Sequence, residues 1–380
     1  MNFFDKEIDR RGTHCEKWDK YKGTDVIPAW VADMDFSSPI PVINALKQRV
    51  EHGVFGYTGI DDETNEAVIN FIKRHHNWEI KKEWIVWING VVPGMNLACR
   101  MISDNDEIIT TTPIYPHFAT APKNSNKILT QVPMKEINNR WSVDFEEFES
   151  KISPTCKLFL LCNPYNPGGT VFTKDELEKF CEICTKYDLI ICSDEIHADL
   201  VINPQTKHIP IASLDDDYAQ SIITLMAPSK TFNIAGLQSS FAIIPNKKLR
   251  LAFQKELRGM GENINVLAIS ATKAAYKESD EWLSNLKKYL LENFELVKEF
   301  IDKNRDLKML SSDATFLAWI DCQALHVANP YELFLKHGVG LNDGKKFGDE
   351  NFVRLNFATT RKNLIKILGR MQKAIDSLKN

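Results

Sequence analysis

The chain has 380 residues, 43% hydrophobic and 26% charged, with 47 basic against 51 acidic side chains and a net charge of −4. That is length for two domains, or one large domain with an appendage, and apolar content for a substantial core. The near balance of charge gives no electrostatic case for nucleic acid or an anionic membrane as main partner, and no apolar run approaches the ~20 residues that span a bilayer.

The opening MNFFDKEIDRRG carries charge on both sides of a short apolar pair and lacks the continuous apolar core of a signal peptide. A cytoplasmic location is expected, and with it eight cysteines held as buried thiols. The first 45 residues show little periodicity and are expected to pack against a smaller domain formed by the C-terminal part. His75-His76 reads as a helix end, not as a metal site. Glu83 to Ile88 reads as a strand, Pro93 to Ile102 as a helix, and Glu107 to Thr112 and Lys157 to Cys162 as strands. Thr173, Lys174, Asp175 and Glu176 form a capping-box pattern that opens a helix running to about Tyr187. Cys181 and Cys184 form a CxxC inside that helix, with no second CxxC and no nearby His pair, so neither metal nor redox chemistry is expected of them. Leu189 to Cys192, Ser221 to Met226 and Phe241 to Ile244 are further buried-strand candidates. Strands apolar throughout and separated by helices indicate an α/β fold, with a largely parallel sheet covered on both faces. From about Ser279 the pattern changes to a long charged helix, strand-like runs at Thr315 to Ile320 and Phe352 to Phe357, and a basic C-terminal helix that Arg361 helps to start. The division expected is a large domain over 46–280, and a small α+β domain of 1–45 together with 281–380.

In an open α/β sheet, ligands gather beyond the carboxyl ends of the strands, and here several such ends carry unusual residues. Gly90-Val91-Val92-Pro93-Gly94 follows a strand and opens a helix, which offers backbone N–H groups to a phosphate; alone, a plain strand-to-helix turn fits as well. Asn163-Pro164-Tyr165-Asn166-Pro167-Gly168-Gly169 specifies a tight, fixed path. Ser193-Asp194-Glu195-Ile196-His197 ends an apolar strand with two carboxylates, a costly arrangement unless they find partners. Ser229-Lys230-Thr231-Phe232-Asn233 places a lysine at the same sheet edge.

Taken in order, GVVPG, NPYNPGG, SDEIH, APSKTFNIAGL and FVRLNFATTR resemble the aspartate-aminotransferase superfamily, fold type I of the pyridoxal-phosphate enzymes, over essentially the whole chain. Lys17-Trp18-Asp19, Trp30-Val31-Ala32-Asp33-Met34-Asp35-Phe36 and Phe55-Gly56-Tyr57 further resemble its MalY/PatB branch of cystathionine β-lyases, or cysteine-S-conjugate β-lyases. Without that resemblance, WVADMDF would read as a core strand with two odd aspartates. The resemblance implies a seven-stranded, mostly parallel sheet and pyridoxal 5'-phosphate as cofactor. It also implies Lys230 as the amine that condenses with the cofactor and moves the Cα proton. Asp194 is implied as partner of the pyridine nitrogen and Asn166 as partner of the phenolic oxygen. Tyr115 is implied as the stacking aromatic, and the backbone of Gly90, Val91 and Val92 with the Ser229 hydroxyl as the phosphate site. By analogy His197 contacts or supports the Asp194 side of the ring, against the plainer reading of a packed histidine. Arg354 is implied as the clamp for the substrate carboxylate. Tyr57 is implied to reach across from a second subunit, completing cofactor and substrate binding in a homodimer. Asp33 and Asp35 are expected to organise the N-terminal segment over the site.

Two departures stand out: Ala227 three residues before the lysine, where serine is frequent, and Gln238 eight residues after it, where many aminotransferases put a phosphate-binding arginine. The second tilts the reading away from a standard aminotransferase. The expected activity is cleavage of a sulfur amino acid to a thiol, pyruvate and ammonia. An aminotransferase and a cofactor-holding regulatory protein with little turnover are the alternatives.

Overall fold

The computed structural model describes residues 3–261 and 263–379. Its large sheet has eight strands: β1 (Ile85–Ile88), β2 (Glu107–Thr112), β3 (Ile128–Ile137), β4 (Arg140–Val143), β5 (Cys156–Cys162), β6 (Ile190–Asp194), β7 (Ile222–Met226) and β8 (Ser240–Ile243). Their order is β1-β8-β7-β6-β5-β2-β3-β4. Neighbours from β7 through to β3 are parallel, whereas β8 is antiparallel to both its neighbours and β4 to β3. Seven strands were expected; β4 is an eighth, returned by a hairpin whose two turn residues, Asn138 and Asn139, both take positive φ. Asparagine tolerates that conformation better than most residues, which is why this tight turn closes without glycine.

β5, β6 and β7 are buried along nearly their whole length because helices cover both faces, so they carry no polar alternation. One covering helix, Lys174–Lys186, opens with the anticipated capping box. The Glu176 carboxylate accepts the Thr173 N–H at 2.8 Å, and the Thr173 hydroxyl accepts the Glu176 N–H at 3.3 Å. Its CxxC is buried, as are all eight cysteines. His76 ends helix Asp62–His76, as expected, and Asn77 caps it in the left-handed conformation.

A smaller antiparallel sheet holds β9 (Leu317–Asp321), β10 (Asn342–Asp343) and β11 (Phe352–Asn356) in the order β9-β11-β10. Helices Asp280–Lys303 and Arg361–Asp376 accompany it. The N-terminal segment packs here, as expected: Ile27–Pro28 pairs in parallel with Val339–Gly340, and the Phe4 ring lies 5.5 Å from that of Tyr289. Trp30 to Phe36, a strand candidate on its residues alone, joins no sheet. Its backbone is instead captured by side chains. Asp35, 5% exposed, accepts from Lys17 Nζ at 3.0 Å and from Arg10 Nη1 at 2.8 Å. Asp33 also pairs with Arg10.

Candidate active site

β1, β2, β5, β6 and β7 run in one direction, so their carboxyl ends share one edge of the sheet, and antiparallel β8 begins at that edge. A cavity of about 510 Å³ opens there, roofed by Trp30 to Ala32 and by residues of the small sheet. Gly90, Val91, Val92, Tyr115, Asn166, Asp194, His197, Ser229, Lys230 and Arg354 all line it. Tyr57 does not: it stands fully exposed in the loop before helix Asp62–His76.

Beyond β1, Gly90 takes a φ of 151°, and a Cβ there would come within 3.0 Å of Pro93 Cδ. The helix that follows, Val91–Arg100, has no side-chain cap. Its first N–H groups are therefore free for an anion, helped by the helix dipole.

Beyond β7, Pro228 starts the short helix Pro228–Thr231 that carries Lys230. Lys230 Nζ donates to the Ala32 carbonyl at 2.7 Å. Burial, with the nearby Arg354 charge, holds its ammonium below the usual lysine range, which favours the free amine. Next to it, Thr231 donates to Asp199 Oδ2 at 2.7 Å, and Asp199 Oδ1 meets His76 Nε2 at 2.8 Å, so the lysine turn is buttressed from behind. Ser229 Oγ donates to the Ser239 carbonyl at 3.2 Å.

The two carboxylates closing β6 are treated differently. Glu195 meets His208 Nε2 at 2.7 Å and accepts from Ser193 Oγ at 2.9 Å and the Ile211 N–H at 3.2 Å. Among the described residues Asp194 accepts only the Ile196 N–H, at 3.1 Å, and burial pushes its carboxyl up to about 7. It is a buried acid in want of a cation. His197, also buried, is pushed down to about 3 by burial and by the Lys230 and Arg354 charges. It is a neutral ring near pH 7, and its Nδ1 has no partner among the described residues.

Arg354 rises from β11 and is 3% exposed. Nη1 donates to Asn166 Oδ1 at 2.9 Å and Nη2 to the Trp30 carbonyl at 3.2 Å. Its guanidinium lies 4.6 Å from the centre of the Phe347 ring, and among the described residues its Nε has no partner and it pairs with no carboxylate. Burial lowers it to about 10, so it stays charged. A buried, unpaired guanidinium is a standing site for an anionic ligand. The bond to Arg354 occupies Asn166 Oδ1 and leaves the amide Nδ2 as a donor. Tyr115, whose N–H donates to the Asn166 carbonyl at 3.2 Å, supplies the aromatic ring on this side.

Three asparagines without an assigned role hold the roof. Asn356 Nδ2 donates to the Val31 and Asp33 carbonyls at 2.6 and 2.7 Å, and Asn342 Nδ2 to the Trp30 carbonyl at 2.6 Å. Asn233 Nδ2 donates to the Met34 and Phe36 carbonyls at 3.0 and 2.8 Å, while its Oδ1 accepts the Met34 N–H at 3.0 Å. Asn233 and Asn356 lie inside the motifs SKTFN and VRLN, so the signal was present but carried no function. Gln238 lines the cavity at a positive φ of 57°.

An amine, an unpaired buried acid, an uncapped helix start and a flanking aromatic suit a phosphorylated, aldehyde-bearing pyridine such as pyridoxal phosphate. Comparison with known proteins agrees. The chain matches the family model "Aminotransferase class I and II" over residues 27–371. It is 39% identical to cystathionine beta-lyase PatB of Bacillus subtilis (strain 168), across 99% of this chain and 100% of that one. The crystal structure of OvoB superimposes with a TM-score of 0.96 at 43% identity, covering 98% of this chain and 99% of that one. The PLP-bound C–S lyase of Staphylococcus hominis, complexed with L-cycloserine, gives a TM-score of 0.93 at 32% identity, covering 98% and 99%. The chain belongs to the class I and II aminotransferase family, and the expected fold is borne out with it.

Proposed function

We propose that the protein is a carbon–sulfur β-lyase that uses pyridoxal 5'-phosphate to cleave L-cystathionine or related cysteine S-conjugates to a thiol, pyruvate and ammonia. The observation that carries this reading is the convergence of Lys230, the unpaired Asp194 and the unpaired Arg354 on one cavity. The relatives named as cystathionine β-lyase and C–S lyase support it. Pyridoxal phosphate, when bound, supplies an aldehyde for the substrate amine and an electron sink for the Cα bond pair. The N–H groups of Val91 and Val92, with Gly90 and the Ser229 hydroxyl, hold the phosphate. Asp194 keeps the pyridine nitrogen protonated, Asn166 donates to the phenolic oxygen, Tyr115 stacks on the ring, and His197 supports the Asp194 side. Arg354 clamps the substrate α-carboxylate. With the cofactor bound, Lys230 would be placed to take the Cα proton; the Cα–H pair would form the Cα=Cβ bond as the C–S pair leaves with sulfur, the thiolate would take up a proton, and water would hydrolyse the released enamine to pyruvate and ammonia.

The reading includes a homodimer. Val54, Phe55 and Tyr57 form an exposed apolar run that burial against a second copy would cover, bringing Tyr57 to the partner's site. It also includes a cytoplasmic location, where eight free thiols persist.

The test is thiol and pyruvate release from L-cystathionine by purified holoenzyme with no keto acid present. Equal amounts of both, lost in Lys230→Ala, are expected. Amine transfer that needs a keto acid, without thiol, makes the protein an aminotransferase instead. Full biological function in Lys230→Ala makes it a cofactor-holding regulator.

A further inference from the structure

Besides the groups that handle an amino acid's own amine and carboxylate, the cavity carries two more charged side chains, Glu16 and Lys346. Both are exposed, and neither forms an ion pair or side-chain hydrogen bond among the described residues. That sets them apart from Arg10, Lys17, Asp33 and Asp35 close by, all of which are paired. His117, which also lines the cavity, is held below its usual range by burial.

The two are carried on fixed supports. Glu16 opens the helical turn Glu16–Asp19, in which Lys17 is buried against Asp35, Trp18 Nε1 donates to Asp35 Oδ1 at 3.2 Å, and Trp30 Nε1 donates to the Lys17 carbonyl at 3.1 Å. Glu16 is close enough to disfavour ionisation of Tyr115. Lys346 precedes Phe347, whose ring underlies the Arg354 guanidinium and whose carbonyl accepts the Ile114 N–H at 2.9 Å. A negative and a positive group thus stand on separate rigid segments over the same opening.

A substrate with one amino-acid head and a neutral tail uses neither of them. We propose that Glu16 and Lys346 form a subsite for a second zwitterionic head beyond the sulfur, Glu16 receiving its ammonium and Lys346 its carboxylate. The substrate class selected is a thioether or disulfide joining two amino-acid heads, in preference to S-alkyl cysteines. This rests on the lyase reading above and deepens it. Because both groups are solvent-exposed, each contributes modestly, about three- to tenfold in selectivity, and ionic strength screens the effect.

The experiment compares kcat/KM for L-cystathionine with that for S-ethyl-L-cysteine, in the wild type, Glu16→Gln, Lys346→Met and Lys346→Glu, at low and high salt. The ratio of the two is expected to fall about three- to tenfold in each neutral variant and further in Lys346→Glu, and added salt is expected to shrink the wild-type preference. A ratio unchanged in all variants, or insensitive to salt, overturns the subsite. If the wild type releases thiol from neither compound, the lyase reading fails separately. The subsite is then read from the dissociation constants of the same two amino acids, followed by the change in cofactor absorbance, with the same ratios expected.

Discussion

Two adjacent buried carboxylates differ in their partners: Glu195 has three, Asp194 a single backbone N–H. The difference becomes a pH dependence. Asp194 is pushed from the usual 3.8 up to about 7, so the folded apoenzyme binds a proton there more tightly than the unfolded chain does. The resulting cost is absent below pH 3.8, grows between 3.8 and about 7, and is complete above that. Its upper bound is about 4 kcal/mol. Asp194→Asn is therefore expected to stabilise the apoenzyme at pH 8 and to leave it unchanged near pH 4, while lyase activity is lost. Thermal melts of cofactor-stripped protein across that range check it; equal stabilisation at both pH values would point to packing instead. Arg354 gives a second prediction at this scale. Lysine cannot keep both fork contacts and the stacking on Phe347, so Arg354→Lys is expected to raise KM about 10- to 100-fold, with a smaller change in kcat. Steady-state kinetics with L-cystathionine separate the two.

Among the elements, the Trp30 to Phe36 segment is the one whose character could not be read locally. Apart from one from Arg10, the side-chain hydrogen bonds to its backbone come from Asn233, Asn342, Asn356, Arg354 and Lys230, about two hundred to more than three hundred residues away in sequence. No window of hydrophobic period reports such partners, whereas the fully apolar runs of β5, β6 and β7 and the Thr173 capping box announce themselves. The hairpin strands β3 and β4 have no counterpart among the strand candidates for a different reason, since they and their Asn-Asn turn lie in a polar stretch without a long apolar run. Asn233 is the main link from the segment to the lysine turn. Asn233→Asp keeps size and tolerance of positive φ but loses both donors, leaving the Met34 and Phe36 carbonyls facing a carboxylate. The expected cost is about 2 to 3 kcal/mol of stability, seen as a lower urea midpoint with unchanged slope. Trypsin is expected to cut faster at the basic residues between Arg10 and Lys22. Unchanged cutting would show that the remaining asparagines suffice to hold the segment.

For the whole molecule, the motif residues other than Tyr57 line one cavity, because all but Arg354, which comes from within β11, lie at or beyond strand ends that share an edge. Tyr57 was legible only through the family resemblance, since its proposed place is on another copy of the chain. The dimer reading predicts complementation. Mixing Lys230→Ala with Tyr57→Ala subunits, each of low activity, is expected to recover about a quarter of wild-type activity in random mixed dimers, because half the dimers are mixed and each has one intact site. Activity no higher than the average of the two parents would remove the shared site. We also propose the division of the chain into 46–280 and 1–45 with 281–380, although helix Ile40–His52 runs through the first seam.

The distant anchors of the N-terminal segment bear on the order in which a ribosome delivers the chain. The segment emerges about three hundred residues before Asn342, Arg354 and Asn356, which hold it. Until then the cavity has no roof. A nascent chain can assemble β1 to β8 and still lack a closed binding site, so competence to hold a substrate awaits the arrival of Asn342, Arg354 and Asn356.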